Sequence, residues 1–100
     1  METKINKAQD CTVVQFIGRM DTPAAQELSG KMQELQDAAS GTVVLDCSGL
    51  EYISSSGLRI FLSLRKAASA KGGKVIVQDI NDDIRNVFMM TGFLNLFEIR

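Results

Sequence analysis

The chain has 100 residues, enough for one domain with a single hydrophobic core and no need of disulfides or metals. It is 45% hydrophobic and 23% charged with a net charge of −1, so no basic field draws it toward nucleic acid or an anionic membrane. Histidine is absent, which excludes Ser-His-Asp and Cys-His catalysis and the usual His-containing zinc sites.

Taken in order, residues 3–7 and 12–19 read as two strands joined near Ala8-Gln9-Asp10. The second, Thr12-Val13-Val14-Gln15-Phe16-Ile17, is β-branched and aromatic, and so short a connection favours an antiparallel pair. Asp21-Thr22-Pro23 then opens a helix, with Thr22 as the expected N-cap and Pro23 in the first helical position. Ala24, Leu28, Met32, Leu35 and Ala39 recur at helical spacing, which predicts one long amphipathic helix stopped by Ser40-Gly41. Thr42 to Cys47 is short and continuously apolar, the pattern of a strand covered on both faces or nearly so, and Ser48 to Ile53 reads as a loop.

A wide apolar sector from Leu58 to Ala70 predicts a second helix, ended by Lys71-Gly72-Gly73. Lys74 to Gln78 is a further buried strand. Asn81 is placed to cap a third helix, with Asp82 and Asp83 in its positive first turn and Ile84, Val87 and Phe88 on one face. Thr91-Gly92 closes it, Met89 and Met90 are expected as core filler, and a peripheral strand falls within residues 94–100. The order β-β-α-β-α-β-α-β is that of a single α/β domain over residues 1–100, a mixed sheet with an N-terminal antiparallel pair and then parallel neighbours. Cys11 and Cys47, 36 positions apart, are expected as buried free thiols. With no span of about 18 apolar residues and no signal-peptide core, the expected location is the cytoplasm.

The stretch that the other elements are arranged to present is Tyr52-Ile53-Ser54-Ser55-Ser56-Gly57-Leu58-Arg59. Three serines stand where the chain enters a helix, and a hydroxyl there can accept a hydrogen bond from a first-turn N–H. The same free N–H groups and the helix dipole also suit an added anion. Plain capping and phosphorylation both fit these residues. In parallel α/β folds, ligands and partners gather beyond the carboxyl ends of the strands. That rim carries Asp21 and Thr22, then Ser54 to Gly57, then Asp79 to Asp82. No phosphate-binding P-loop, dinucleotide fingerprint or spaced acid/base pair is present, so neither an enzyme nor a cofactor is expected.

Three segments resemble one family. Gly18-Arg19-Met20-Asp21-Thr22-Pro23-Ala24 is similar to the G-x-L-D-x-x-(T/S)-A segment of STAS domains, the anti-sigma-factor antagonists. Val44-Leu45-Asp46-Cys47-Ser48-Gly49-Leu50 resembles their strand-and-loop block, and Ile53-Ser54-Ser55-Ser56-Gly57-Leu58 their D-S-S/T-G-L block. The resemblance implies a small module that binds an anti-sigma factor with serine kinase activity and frees its sigma factor. It also implies that the kinase phosphorylates Ser56, with Ser55 and Ser54 as alternative hydroxyls, and that phosphorylation reverses binding. The implied partner surface comprises Asp21, Thr22, Ser54, Ser55, Ser56, Gly57, Leu58 and Arg59, on a protein expected to be monomeric when free. Where many antagonists carry Asp before the Ser pair, this chain has Ser54, one negative charge fewer. A constitutive, unphosphorylated STAS subunit of a transporter ATPase complex is the alternative function. A small nucleotide-binding enzyme is a third, for which the sequence shows no pocket.

Overall fold

A computed structural model describes residues 1–8, 11–31, 34, 37 and 41–100. Among these, five strands form one sheet in the order β1 (Glu2–Lys7), β2 (Cys11–Met20), β3 (Thr42–Ile53), β4 (Lys74–Gln78) and β5 (Glu98–Ile99). The β1–β2 pair is antiparallel and every later neighbour is parallel, as the alternation of elements predicted. Strand order follows chain order, so right-handed crossovers bring the connecting helices to the same face. Those helices are α1 (Thr22–Ser29), α2 (Ser55–Ala70) and α3 (Asp82–Thr91), followed by a short 3₁₀ turn at Phe93–Asn95.

The covered face carries Val14 and Phe16 of β2, Val43, Leu45 and Cys47 of β3, and Val75 and Val77 of β4. Against it lie Leu58, Phe61 and Leu64 of α2 and Ile84 and Phe88 of α3. All five phenylalanines of the chain join in one cluster. Phe61 sits 5.6 Å from Phe16, 6.3 Å from Phe88 and 6.5 Å from Phe97, ring centroid to ring centroid. Such tilted and edge-on pairs bind one another beyond their area of burial, so a single ring ties α2 to the sheet, to α3 and to the C-terminal segment. The other face of β3 is only half-buried at Val44 and Asp46, so this strand is covered fully on one side and partly on the other.

Three sequence expectations change. The first helix ends at Ser29, where Gly30 and Lys31 donate to the carbonyls of Glu27 and Leu28 at 3.1 and 2.9 Å. Such i→i−3 bonds tighten a last turn, and Gly is a poor residue for continuing a helix. Beyond this break Glu34 and Asp37 are again helical, so the expected helix is interrupted at Gly30–Lys31, while Met32, Leu35, Ala39 and Ser40, on which its continuity rested, lie outside the described residues. The loop expected at Ser48 to Ile53 is instead the second half of β3. Its buried residues Cys47, Leu50 and Ile53 are spaced by three, a pattern foreign to a flat strand. Two register shifts against β2, between Gln15 and Ile17 and between Gly18 and Arg19, let β3 take an extra residue each time and return the next apolar side chain to the core. Met89 and Met90 are 60% and 78% exposed, not core filler. The helical period already directs Ile84 and Phe88 inward, and the next two positions turn away from that face.

Asn81 does more than the capping that its position announced. Its Oδ1 accepts from Ile84 N at 2.8 Å, and its Nδ2 donates to the Leu50 carbonyl at 3.1 Å, tying the start of α3 to the bulged part of β3. Gly92 closes α3 in the left-handed conformation, φ 80°, as expected of a C-terminal glycine. Cys47 is buried as expected, whereas Cys11 is half-buried at the edge of the sheet's opening strand pair. Burial, with the carboxylates of Asp46 and Asp79 adding to it, pushes the Cys47 thiol from 9.0 up to about 12.

Two outcomes follow from these contacts. Asn81→Ala loses both cap and tether and should cost about 2 kcal/mol in urea unfolding, while Asn81→Asp keeps the cap acceptor and should cost less. Cys47 keeps its proton in the folded state, so its contribution to stability is complete below pH 9.0 and falls away as pH rises toward about 12. Unfolding midpoints measured from pH 8 upward should therefore fall more steeply for the wild type than for Cys47→Ala.

Candidate functional site

The junction of β3 and α2 is built by a few short-range constraints. Ser54 N donates to the Met20 carbonyl at 2.8 Å, extending the β2–β3 pairing to the last residue before the helix. Ser54 has extended backbone angles and its Oγ accepts from Gly57 N at 3.2 Å, so it is the N-cap of α2. Ser55 and Ser56 then occupy the first helical turn, where backbone N–H groups lack an acceptor within the helix. Gly57 faces the ends of both strands. A Cβ at this position would lie 2.6 Å from Met20 Sδ and 2.8 Å from Ile53 Cγ1, so glycine lets the helix start this close to the sheet without displacing either side chain.

The three serines consequently differ. Ser54 is 8% exposed and committed to capping. Ser55 is exposed and Ser56 half-buried, and neither hydroxyl is engaged with another described residue. Gly57 and Leu58 are buried, so within the predicted partner surface they shape the helix start and present no side chain. Arg59, one turn beyond Ser56, is exposed and has no ion-pair partner among the described residues.

Asp21 and Thr22 sit beside this junction because Met20, which accepts the Ser54 bond, immediately precedes them. Asp21 is the N-cap of α1, its Oδ1 accepting from Ala24 N at 3.0 Å, and Thr22 is the first helical residue. This corrects the expectation of Thr22 as cap: a carboxylate reaches the N–H three residues on, and Thr22 already has helical geometry. Both remain exposed on the rim. The third part of the predicted rim, at the start of α3, is held one strand further along by the Asn81–Leu50 bond.

Sequence reasoning missed the groove between α1 and α2. It has a volume of about 310 Å³, and its walls include Gln26 and Ser29 of α1 and Ser56, Arg59 and Ser63 of α2. The signal was present only in part. Ser56, Arg59 and Ser63 follow helical spacing, but nothing in the order of residues says that Gln26 faces them. On the opposite side of the sheet, the Arg19 guanidinium lies 4.5 Å from the centre of the Tyr52 ring, a second pairing that spacing did not announce. Among the described residues, no three acidic, Cys or His side chains gather to hold a metal ion, and no helix is long and apolar enough to cross a membrane.

Comparisons with known proteins agree on this architecture. The sequence profile of the family described as STAS domain matches residues 2–100. BtrV of Bordetella bronchiseptica, named as an anti-sigma factor antagonist, is 28% identical over 99 residues, covering 99% of this chain and 85% of that protein. Among solved structures, a Thermotoga maritima protein named as an anti-sigma factor antagonist superposes with a TM-score of 0.86 at 18% identity, covering 97% of this chain and 84% of that one. The Bacillus cell fate determinant SpoIIAA in its phosphorylated form superposes with a TM-score of 0.75 at 18% identity, covering 99% and 91%. The last two likenesses show the fold.

The geometry of the helix start has a direct consequence for stability. Gly57→Ala should destabilise the protein by about 1–3 kcal/mol, since the methyl group must displace Met20 and Ile53. Ser54→Ala, which removes only the cap, should cost about 1 kcal/mol. Chemical denaturation of the two variants beside wild type checks both values.

Proposed function

This chain belongs to the STAS domain family, and on that premise we propose that it is an anti-sigma factor antagonist switched by phosphorylation of Ser56. In this reading the unmodified protein binds an anti-sigma factor with serine kinase activity, which then releases its sigma factor. The kinase transfers the γ-phosphoryl group of ATP to Ser56 Oγ, which loses its proton, and ADP leaves. The protein is a binding module and a phosphoryl acceptor, with no catalysis of its own, and acts in the cytoplasm as a monomer when free.

The observation that carries the reading is the difference among the three serines. Ser54 is buried and its oxygen is occupied by Gly57 N, whereas Ser56 is on the first turn of α2 with an unengaged hydroxyl. Ser55 shares that turn and is the alternative acceptor. A relative named as an anti-sigma factor antagonist supports the function, and the choice among the serines rests on their environments alone. The partner surface comprises Asp21 and Thr22 at the start of α1 with Ser55, Ser56 and Arg59 of α2. Ser54, Gly57 and Leu58 lie beneath it and fix its shape.

Phosphorylation adds about −1.5 to −2 charges and three acceptor oxygens. At a helix N-terminus this charge is well placed for the fold. In a docking face it meets steric and desolvation penalties, and a loss of about 3 kcal/mol weakens binding roughly a hundredfold. The test is intact-mass analysis of the protein after incubation with ATP and each candidate serine-kinase anti-sigma factor, followed by peptide mapping. One phosphate on Ser56, absent from Ser56→Ala, is the expected result, and Ser56→Asp should bind the same kinase about a hundredfold more weakly. Phosphate on Ser55 would move the site by one residue. If no kinase adds phosphate, the constitutive subunit of a transporter ATPase complex becomes the better reading.

A further inference from the structure

Ser56 is not directed simply into solvent. It is half-buried and forms part of the α2 wall of the groove that α1 closes from the other side. Arg59 stands on the same wall three residues later, a spacing that puts two side chains on neighbouring positions of one helix face. Its guanidinium has no acidic partner among the described residues. Across the groove stand the Gln26 amide, whose NH₂ can donate, and the Ser29 hydroxyl, whose single proton is committed to the Ala25 carbonyl at 3.0 Å. With a volume of about 310 Å³, the groove has room for a phosphate. Charge-assisted bonds from Arg to phosphate are among the strongest that a side chain forms, and two of its N–H groups can bind two oxygens together.

We propose that this groove is a built-in receptor for the phosphate on Ser56, in which Arg59 pairs with the phosphate and Gln26 of α1 binds it from the facing wall. The inference rests on the reading of Ser56 as the phosphorylated residue. Its consequence is specific to this arrangement: the phosphate lies between α1 and α2, clamps the two helices together and takes Arg59 away from the partner surface. Phosphorylation thereby changes two features of that surface at once, adding a dianion and sequestering a cation. A carboxylate at residue 56 is shorter and carries one charge, so Ser56→Asp supplies the repulsion without the clamp.

The experiment installs phosphoserine at position 56 during synthesis, with no kinase involved, and follows the phosphorus resonance through a pH titration. A free phosphoserine loses its second proton near pH 6. Pairing with Arg59 should lower that midpoint by about half to one pH unit, since a nearby cation favours the dianion. Arg59→Gln should return it toward 6, while Lys66→Gln, removing an exposed charge further along α2, should leave it unmoved. The side-chain amide resonances of Gln26 should shift as the phosphate titrates. Equal midpoints in the wild type and Arg59→Gln overturn the proposal, as does an Arg59-dependent midpoint with an unmoved Gln26 amide, which would place the phosphate over α2 alone. Because the phosphate is installed directly, these results stand apart from the kinase assay: a chain that no kinase modifies refutes the switch, whereas a phosphate that ignores Arg59 refutes the receptor.

Discussion

The arrangement of this protein depends on how closely α2 begins against the ends of β2 and β3. The Ser54 N–H bond to the Met20 carbonyl holds the two strands together up to the point where the helix starts. One turn on, Gly57 removes the side chain that would collide with Met20 and Ile53. These two features fix the height and direction of α2, and everything further along the helix inherits them. Phe61 meets the ring of Phe16, and through Phe88 and Phe97 the same residue gathers α3 and the C-terminal segment. Arg65 adds a polar fastening, its Nε donating to the Leu96 carbonyl at 2.6 Å.

The candidate site is a by-product of that approach. A helix that begins directly after a strand, capped by its own Ser54, must place the next two residues on the open rim. Ser55 and Ser56 differ only by about 100° of helix rotation, yet one faces outward and the other turns toward α1. Three identical side chains in a row thus acquire three environments: a buried cap, an exposed hydroxyl and a hydroxyl on a groove wall. The charge that a kinase would add has different neighbours at each. At Ser56 those neighbours include an arginine that has no ion-pair partner among the described residues.

The bulges in β3 show where reading by periodicity meets its limit. Cys47, Leu50 and Ile53 are all apolar and all buried, but their spacing belongs neither to a regular strand nor to an amphipathic helix. Only pairing against β2, with its two register shifts, makes them one face of a continuous strand. Met89 and Met90 fail in the opposite direction: hydrophobic character predicts burial, but the core-facing stripe of α3 was already filled by Ile84 and Phe88. Similarly, both Asp21 and Thr22 are good cap residues, and the backbone conformation, not composition, assigns the role to Asp21.

What the sequence determined by itself was therefore most of what local chemistry governs. The succession of strands and helices, the caps at Asn81 and Gly92, the serine-rich start of α2 and the family resemblance of three short blocks all follow from residues close together in the chain. The parallel sheet and the rim where β2, β3 and β4 end follow almost as directly, because crossover connections have one favoured hand. Tertiary structure alone decided which serine is buried, that β3 runs on to Ile53, and that Gln26 faces Ser56 and Arg59 across a groove. Those outcomes depend on contacts between residues distant in sequence, and such contacts are chosen by packing volume and register, quantities that no single segment contains.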